Sequence, residues 1–199
     1  MTTTCRFSLA AALALALAGC GGGPPKFKST DISGADYGKD FALTDHHGKA
    51  RTLADYRGKA VVLFFGYTHC PDICPTTLAD AAQAMKRLSP GDAARVQVLF
   101  VTVDPERDTQ EVLAKYVPAF DPRFVGLYGD TEATTRTAKE FKIFFEKRPG
   151  KAPGAYSIDH SAQSYILDPQ GRLRLFVRHD RIGEDLADDL RALLGEKAG

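Results

Sequence analysis

The run Ala60-Val61-Val62-Leu63-Phe64-Phe65 constrains this 199-residue chain more than any other stretch. Six apolar residues in a row, without alternation, make a strand buried on both faces. Such a strand needs a covering layer on each side, which points to a layered α/β core. It is followed by Gly66-Tyr67-Thr68-His69-Cys70-Pro71-Asp72-Ile73-Cys74-Pro75-Thr76-Thr77-Leu78. From Pro75 to Leu88, residues Leu78, Ala81, Ala82, Met85 and Leu88 fall at helical spacing, and Pro75 suits a first-turn position. Cys70 and Cys74 therefore lie where a strand hands over to a helix N-terminus, whose free N–H groups favour a thiolate.

Three uses of such a pair are open: a structural disulfide, disulfide exchange with a partner, or a metal site. A Cys70–Cys74 bridge closes so short a loop that chain entropy contributes only about 2 kcal/mol before strain is subtracted. A chain of this size has no need of that staple. Exchange and metal binding both use the thiolate, and spacing alone does not choose between them.

The remaining pattern predicts a β-hairpin over 41–44 and 50–53, a second buried strand over 96–103, a helix over 109–120, a strand over 124–128 and a helix over 131–145. The stretch 146–154 is polar, with two prolines and two glycines, and reads as a mobile surface loop. Strands at 163–167 and 173–177 flank the turn Asp168-Pro169-Gln170-Gly171, and a last helix covers 183–194. This order predicts a thioredoxin-like α/β three-layer sandwich with an N-terminal β-hairpin and a central mixed sheet.

The N-terminus carries Arg6 and then an apolar run from Phe7 to Ala18, too short to span a bilayer as a mature helix. Leu17-Ala18-Gly19-Cys20 resembles the bacterial lipobox, which implies cleavage before Cys20 and a diacylglycerol on its sulfur. The expected organisation is a lipoprotein signal peptide over 1–19, a lipidated tether over 20–29 and one domain over 30–199. Cys5 then leaves with the signal, so Cys70 and Cys74 are the free thiols of the mature chain. In an oxidising, exported compartment an unprotected pair of this kind tends toward a Cys70–Cys74 disulfide. Lysine plus arginine number 26 against 25 acidic residues, and no basic run interleaves with aromatics, which argues against a nucleic-acid partner.

Three motifs carry a family resemblance: Gly66 to Leu78, Val101-Thr102-Val103-Asp104-Pro105-Glu106-Arg107-Asp108-Thr109, and Asp159-His160-Ser161. In order and spacing they resemble the signatures of the Sco/SenC family, over essentially all of residues 30–195. The resemblance implies a membrane-tethered copper-binding protein, a carrier rather than an enzyme, that assists assembly of the dinuclear copper centre of cytochrome c oxidase. Its implied partners are the copper-receiving oxidase subunit, and another periplasmic copper chaperone or a thiol reductant. Its implied location is the periplasmic face of the inner membrane.

Carried over by motif, Cys70, Cys74 and His160 become the copper ligands. Two thiolates and one imidazole suit Cu(I), a further donor or water could complete Cu(II), and zinc would also accept the set. Asp104 and Asp159 are candidates for the layer behind the ligands, Asp159 by orienting His160. Arg107 and Asp108 read as caps of the following helix. His46 and His47 fall in a hairpin turn and read as solvated, His69 ranks second to His160 as a ligand, and His179 reads as surface. The main rival function is a thiol–disulfide oxidoreductase acting on exported partners through the same cysteines. A peroxidase is weaker, because Thr68 precedes Cys70 by two residues rather than three and no distant resolving cysteine exists.

Overall fold

The computed structural model describes residues 25–195. The signal segment, the lipobox and Cys20 lie outside them. Among the described residues no helix is long and apolar enough to cross a membrane.

The apolar run forms β4 (Ala60–Gly66), and all seven of its residues are buried. Phe65 packs against Phe141, with ring centroids 5.6 Å apart, and Phe64 against Phe100 at 6.0 Å. Alternate side chains of β4 thus feed the core on both faces, the physical content of an unbroken apolar strand. β4 runs parallel to β5 (Val96–Thr102), which runs parallel to β6 (Val125–Tyr128). On its other side β4 pairs antiparallel with β9 (Ser164–Leu167), and β9 with β10 (Leu173–Val177). Short β1 (Thr30–Asp31) closes that edge against β10. At the far edge β6 pairs with β2 (Ala42–Asp45), which forms the expected hairpin with β3 (Ala50–Thr52). The result is an eight-stranded mixed sheet in the order β1-β10-β9-β4-β5-β6-β2-β3, the thioredoxin-like α/β architecture predicted.

Helix α1 (Ile73–Lys86) follows the cysteine motif and packs against the last helix, which runs Ile182–Gly195. Its first residue is Ile73 rather than Pro75, so Cys74 stands in the first turn instead of ahead of it. Helix α2 (Pro90–Ala94) is short and leads into β5; α3 (Gln110–Tyr116) is continued by a 3-10 turn, Val117–Ala119, where Pro118 withdraws an N–H. Helix α4 (Thr131–Glu140) stops earlier than the predicted 145, because Lys142 takes a left-handed φ of 52° and turns Phe141 and Ile143 into the core.

Two expectations fail here. The polar stretch after α4 is a loop only over 150–154; its first part, 146–149, is strand. β7 (Phe145–Pro149) pairs antiparallel with β8 (Tyr156–His160), from Phe145 opposite His160 to Pro149 opposite Tyr156. This ribbon belongs to no other sheet, and within it only Ile158 is buried. Its ladder is closed between its own two strands, so it needs no apolar alternation to form one. His46 is not solvated either: it is 4% exposed. Its backbone N–H bonds to Gly126 O, and its Nδ1 accepts from Gly126 N at 2.9 Å, so the turn of the hairpin is covered by β6. His47 beside it is exposed, as expected.

Candidate metal centre

β4 ends at Gly66, and the chain turns through Tyr67 to Cys70 before entering α1. Cys70 is half-buried in that turn and Cys74 is fully buried. His160 arrives from elsewhere, as the last residue of β8, and its Nε2 lies 3.4 Å from Cys74 Sγ. One donor atom each from Cys70, Cys74 and His160 all lie within 4.8 Å of one another. Two sulfurs and an imidazole nitrogen therefore converge with no carboxylate in the set, which suits a soft cation. His160 Nδ1 is 2.9 Å from Ser161 O; a carbonyl only accepts, so Nδ1 carries the proton and Nε2 keeps its lone pair for the sulfurs' side. The Tyr67 and Phe64 rings stand edge-on to the imidazole, with centroids at 5.8 and 6.3 Å.

The two sulfurs differ sharply. A hydrogen bond from the Cys74 thiol, helped by the Asp72 and Cys74 backbone N–H groups, brings Cys70 down to about 4 against the opposing effect of burial. The Cys70 thiolate and burial together push Cys74 far up. In the metal-free protein the pair thus holds one negative charge and one shared proton. The second thiolate forms when a cation takes that proton's place.

Other residues shape the turn, and spacing gave no sign of them. A Cβ on Gly66 would lie 2.7 Å from Cys74 Sγ and 2.9 Å from the Phe100 ring, so the motif's first residue has room only for hydrogen. Asp108 does not cap α3; Thr109 does, its Oγ1 accepting from Val112 N. Asp108 is fully buried and accepts from Thr68 N at 3.0 Å, Thr68 Oγ1 at 2.5 Å and Thr102 Oγ1 at 2.6 Å. It ties the cysteine turn to the end of β5, while burial pushes its carboxyl up against the pull of those hydrogen bonds. Arg107 is not a cap either: it bonds to Asp104 and to Tyr156 O.

Of the remaining candidates, Asp104 is fully buried behind the site and receives Arg107 and the Tyr156 hydroxyl, the latter at 2.9 Å. Asp159 is exposed and pairs with Arg148 at 2.8 Å. It does not orient His160, because adjacent residues of a strand point to opposite faces. His69 is exposed, with Nδ1 3.1 Å from Thr68 Oγ1, and is not brought into the donor group. His179 is exposed, as expected.

Residues 29–195 match the SCO1/SenC family. The mitochondrial SCO2 homologue of Bos taurus is 41% identical over 154 residues, which is 76% of this chain and 58% of that protein. The mitochondrial SCO1 homologue of Homo sapiens is 36% identical over 149 residues, 74% of this chain and 50% of that one. The chain therefore spans less than two thirds of the length of these curated relatives. Among solved structures, apo Sco1 from Thermus thermophilus is 40% identical with a TM-score of 0.77, covering 86% of this chain and 99% of that one. Bradyrhizobium japonicum ScoI with copper bound is 38% identical with a TM-score of 0.72, covering 79% and 99%.

Proposed function

The chain belongs to the SCO1/SenC family, and from that premise we propose that it binds copper as cargo through Cys70, Cys74 and His160 and passes it on in cytochrome c oxidase assembly. The observation that carries this reading is the convergence of two sulfurs and one imidazole nitrogen within 4.8 Å, brought from the start of α1 and the end of β8. A relative with copper bound shares this fold at 38% identity. Two thiolates favour Cu(I), and His160 completes a three-donor set that Cu(II) can extend with a further ligand. The recipient is the copper-receiving subunit of the oxidase, with another periplasmic copper chaperone or a thiol reductant as the supplying partner. A lipid on Cys20 would hold the domain at the periplasmic face of the inner membrane.

In the test, reduced protein should retain one Cu(I) against a competing chelator. Cys70→Ser or Cys74→Ser should abolish that retention, because an alcohol is a poor ligand for a soft ion. His160→Ala should weaken it less and change the Cu(II) spectrum strongly. Copper retention close to wild type in either serine variant overturns the assignment.

The asymmetry of the sulfurs favours a second reading, thiol–disulfide exchange. The Cys70 thiolate would attack a partner disulfide, and Cys74 would resolve the mixed disulfide, leaving a Cys70–Cys74 bridge and a reduced partner. That bridge would also block Cu(I) loading until it is reduced. His160 is dispensable for exchange, so the two functions separate in His160→Ala.

A further inference from the structure

The β7–β8 ribbon carries one metal donor yet contributes a single buried side chain, Ile158, to the core. Its position must be set by contacts outside its own ladder; apart from the exposed Lys147–Glu106 pair and the Ile158–Tyr67 bond, these gather on one side chain. Arg107, from the turn after β5, lies with its guanidinium carbon 3.6 Å from the centroid of the Tyr156 ring and 5.7 Å from that of Tyr67. It donates Nη1–H to Tyr156 O at 3.0 Å and Nε–H to the buried carboxylate of Asp104, which also receives the Tyr156 hydroxyl at 2.9 Å. Tyr156 is thus held by ring, hydroxyl and carbonyl. Two residues on, Ile158 N donates to Tyr67 Oη at 3.3 Å, and two further on stands His160, edge-on to the same tyrosine.

We propose that Asp104 and Arg107 form a clamp that holds β8 down at Tyr156 and thereby sets the position of His160 against Cys74. They are positioning residues, since neither supplies a donor atom to the group. β8 rises about 3.4 Å per residue, so Tyr156 and His160 are roughly 14 Å apart along a stiff strand, and fixing one end aims the other. The arrangement suits a guanidinium and not an ammonium: its plane stacks on a ring while its edge bonds a carboxylate and a carbonyl at once. Opening the clamp would free His160 while leaving both cysteines on α1 and its leading turn. A three-donor site would become a two-donor one, a route to handing the cargo on. The inference rests on the copper reading for its purpose, but the clamp itself is testable in the metal-free protein.

The variants are Arg107→Met and the double change Asp104→Asn with Arg107→Met, which leaves no unpaired charge buried behind the site. Arg148→Met, which breaks the exposed pair with Asp159 on the same ribbon, is the control. In reduced, metal-free protein, hydrogen exchange at the Ile158 amide should accelerate about 10- to 100-fold in both clamp variants, the size expected from losing a charge-assisted hydrogen bond and a cation–π contact. Val62 and Val98 amides in the sheet should exchange as in wild type. With Cu(II) added, imidazole-nitrogen coupling in the electron paramagnetic resonance spectrum should weaken while sulfur–copper charge-transfer absorption persists. Arg148→Met should change none of these. If the double variant keeps wild-type exchange at Ile158, or if Arg148→Met loosens it equally, the clamp is wrong whatever the protein does with copper. A protein that shows the exchange effect but takes up no copper keeps the clamp and overturns the copper reading instead.

Discussion

β4 and β8 bring the donors together by opposite means. β4 is buried at every one of its seven positions and is bonded to a neighbour on each side, so the cysteine turn grows from the most rigid part of the molecule. β8 has one partner, β7, and one buried residue, and it reaches the sulfurs at its final position. The cysteines inherit their geometry mainly from hydrophobic packing, which is cooperative, with buried Asp108 tying their turn to the end of β5. His160 depends on a few directional contacts that can be made and unmade singly. If the site both holds an ion and gives it up, as proposed, it gains from that division, because local opening costs far less than global unfolding.

Gly66→Ala strikes the rigid half and should show the largest effect. Its methyl group has no room beside Cys74 Sγ and Phe100, so overpacking should cost about 1–3 kcal/mol in urea unfolding. Copper retention should fall with it, since the sulfur is what must move. A variant of unchanged stability and affinity would show that the floor of the site yields, and would break the contrast.

Ile158→Ala strikes the light half. Burial of an isoleucine in a cooperative core is normally worth about 2–5 kcal/mol, but here global stability should fall by clearly less, because the ribbon opens by itself. Amides of β7 and β8 should exchange fast while those of β4 and β5 stay protected. A full-sized loss of global stability would make ribbon and sheet one cooperative unit.

Acid acts on the sheet side through His46. Burial, and then the charge of His47, lower its pKa, so the neutral ring is the form the fold prefers. Its contribution is complete above the unfolded value of about 6.5 and is lost as pH falls through the lower folded value. Protonated Nδ1 can no longer accept from Gly126 N. The urea midpoint should therefore drop between pH 7.5 and pH 5.5, and His46→Gln should flatten that dependence. An equally steep fall in His46→Gln would place the acid sensitivity elsewhere.

What the sequence revealed follows the same division. β4, the cysteine turn and the helix after it are local patterns, readable from consecutive residues. The ribbon was hidden because Phe145 alone of Phe145–Pro149 packs against the core, so no period-two alternation marks it. His46 was misread because its cover comes from Gly126, eighty positions away in the chain. Asp108 reaches back forty positions to Thr68, and its role as a tie for the cysteine turn could not be told from that of a helix cap. His160 was found only through the triplet Asp159-His160-Ser161, and the same triplet lent Asp159 a role that strand alternation denies it.

Strand β1 is the smallest element of the sheet, and it determines where the rest of the chain comes from. Thr30 pairs with Phe176, Phe176 with Tyr165 and Tyr165 with Leu63, so these four residues form one row across the sheet. β1 runs antiparallel to β10, and Lys28, two residues earlier, is level with Phe65, close to where β4 gives way to the cysteine turn. There the Lys28 and Ser29 N–H groups are gripped by the buried carboxylate of Asp189, at 2.6 and 3.0 Å. The polypeptide thus enters the domain level with the end of β4 from which the cysteine turn grows, about 14 Å from it across three strand spacings. Cys20 to Lys28 can extend at most about 28 Å, whereas the full length of β4 is roughly 23 Å. Were Cys20 fixed in a lipid leaflet, as proposed, that leash would be nearly taut before the far end of the sheet touched the surface, and it would favour attitudes with the cysteine turn toward the bilayer.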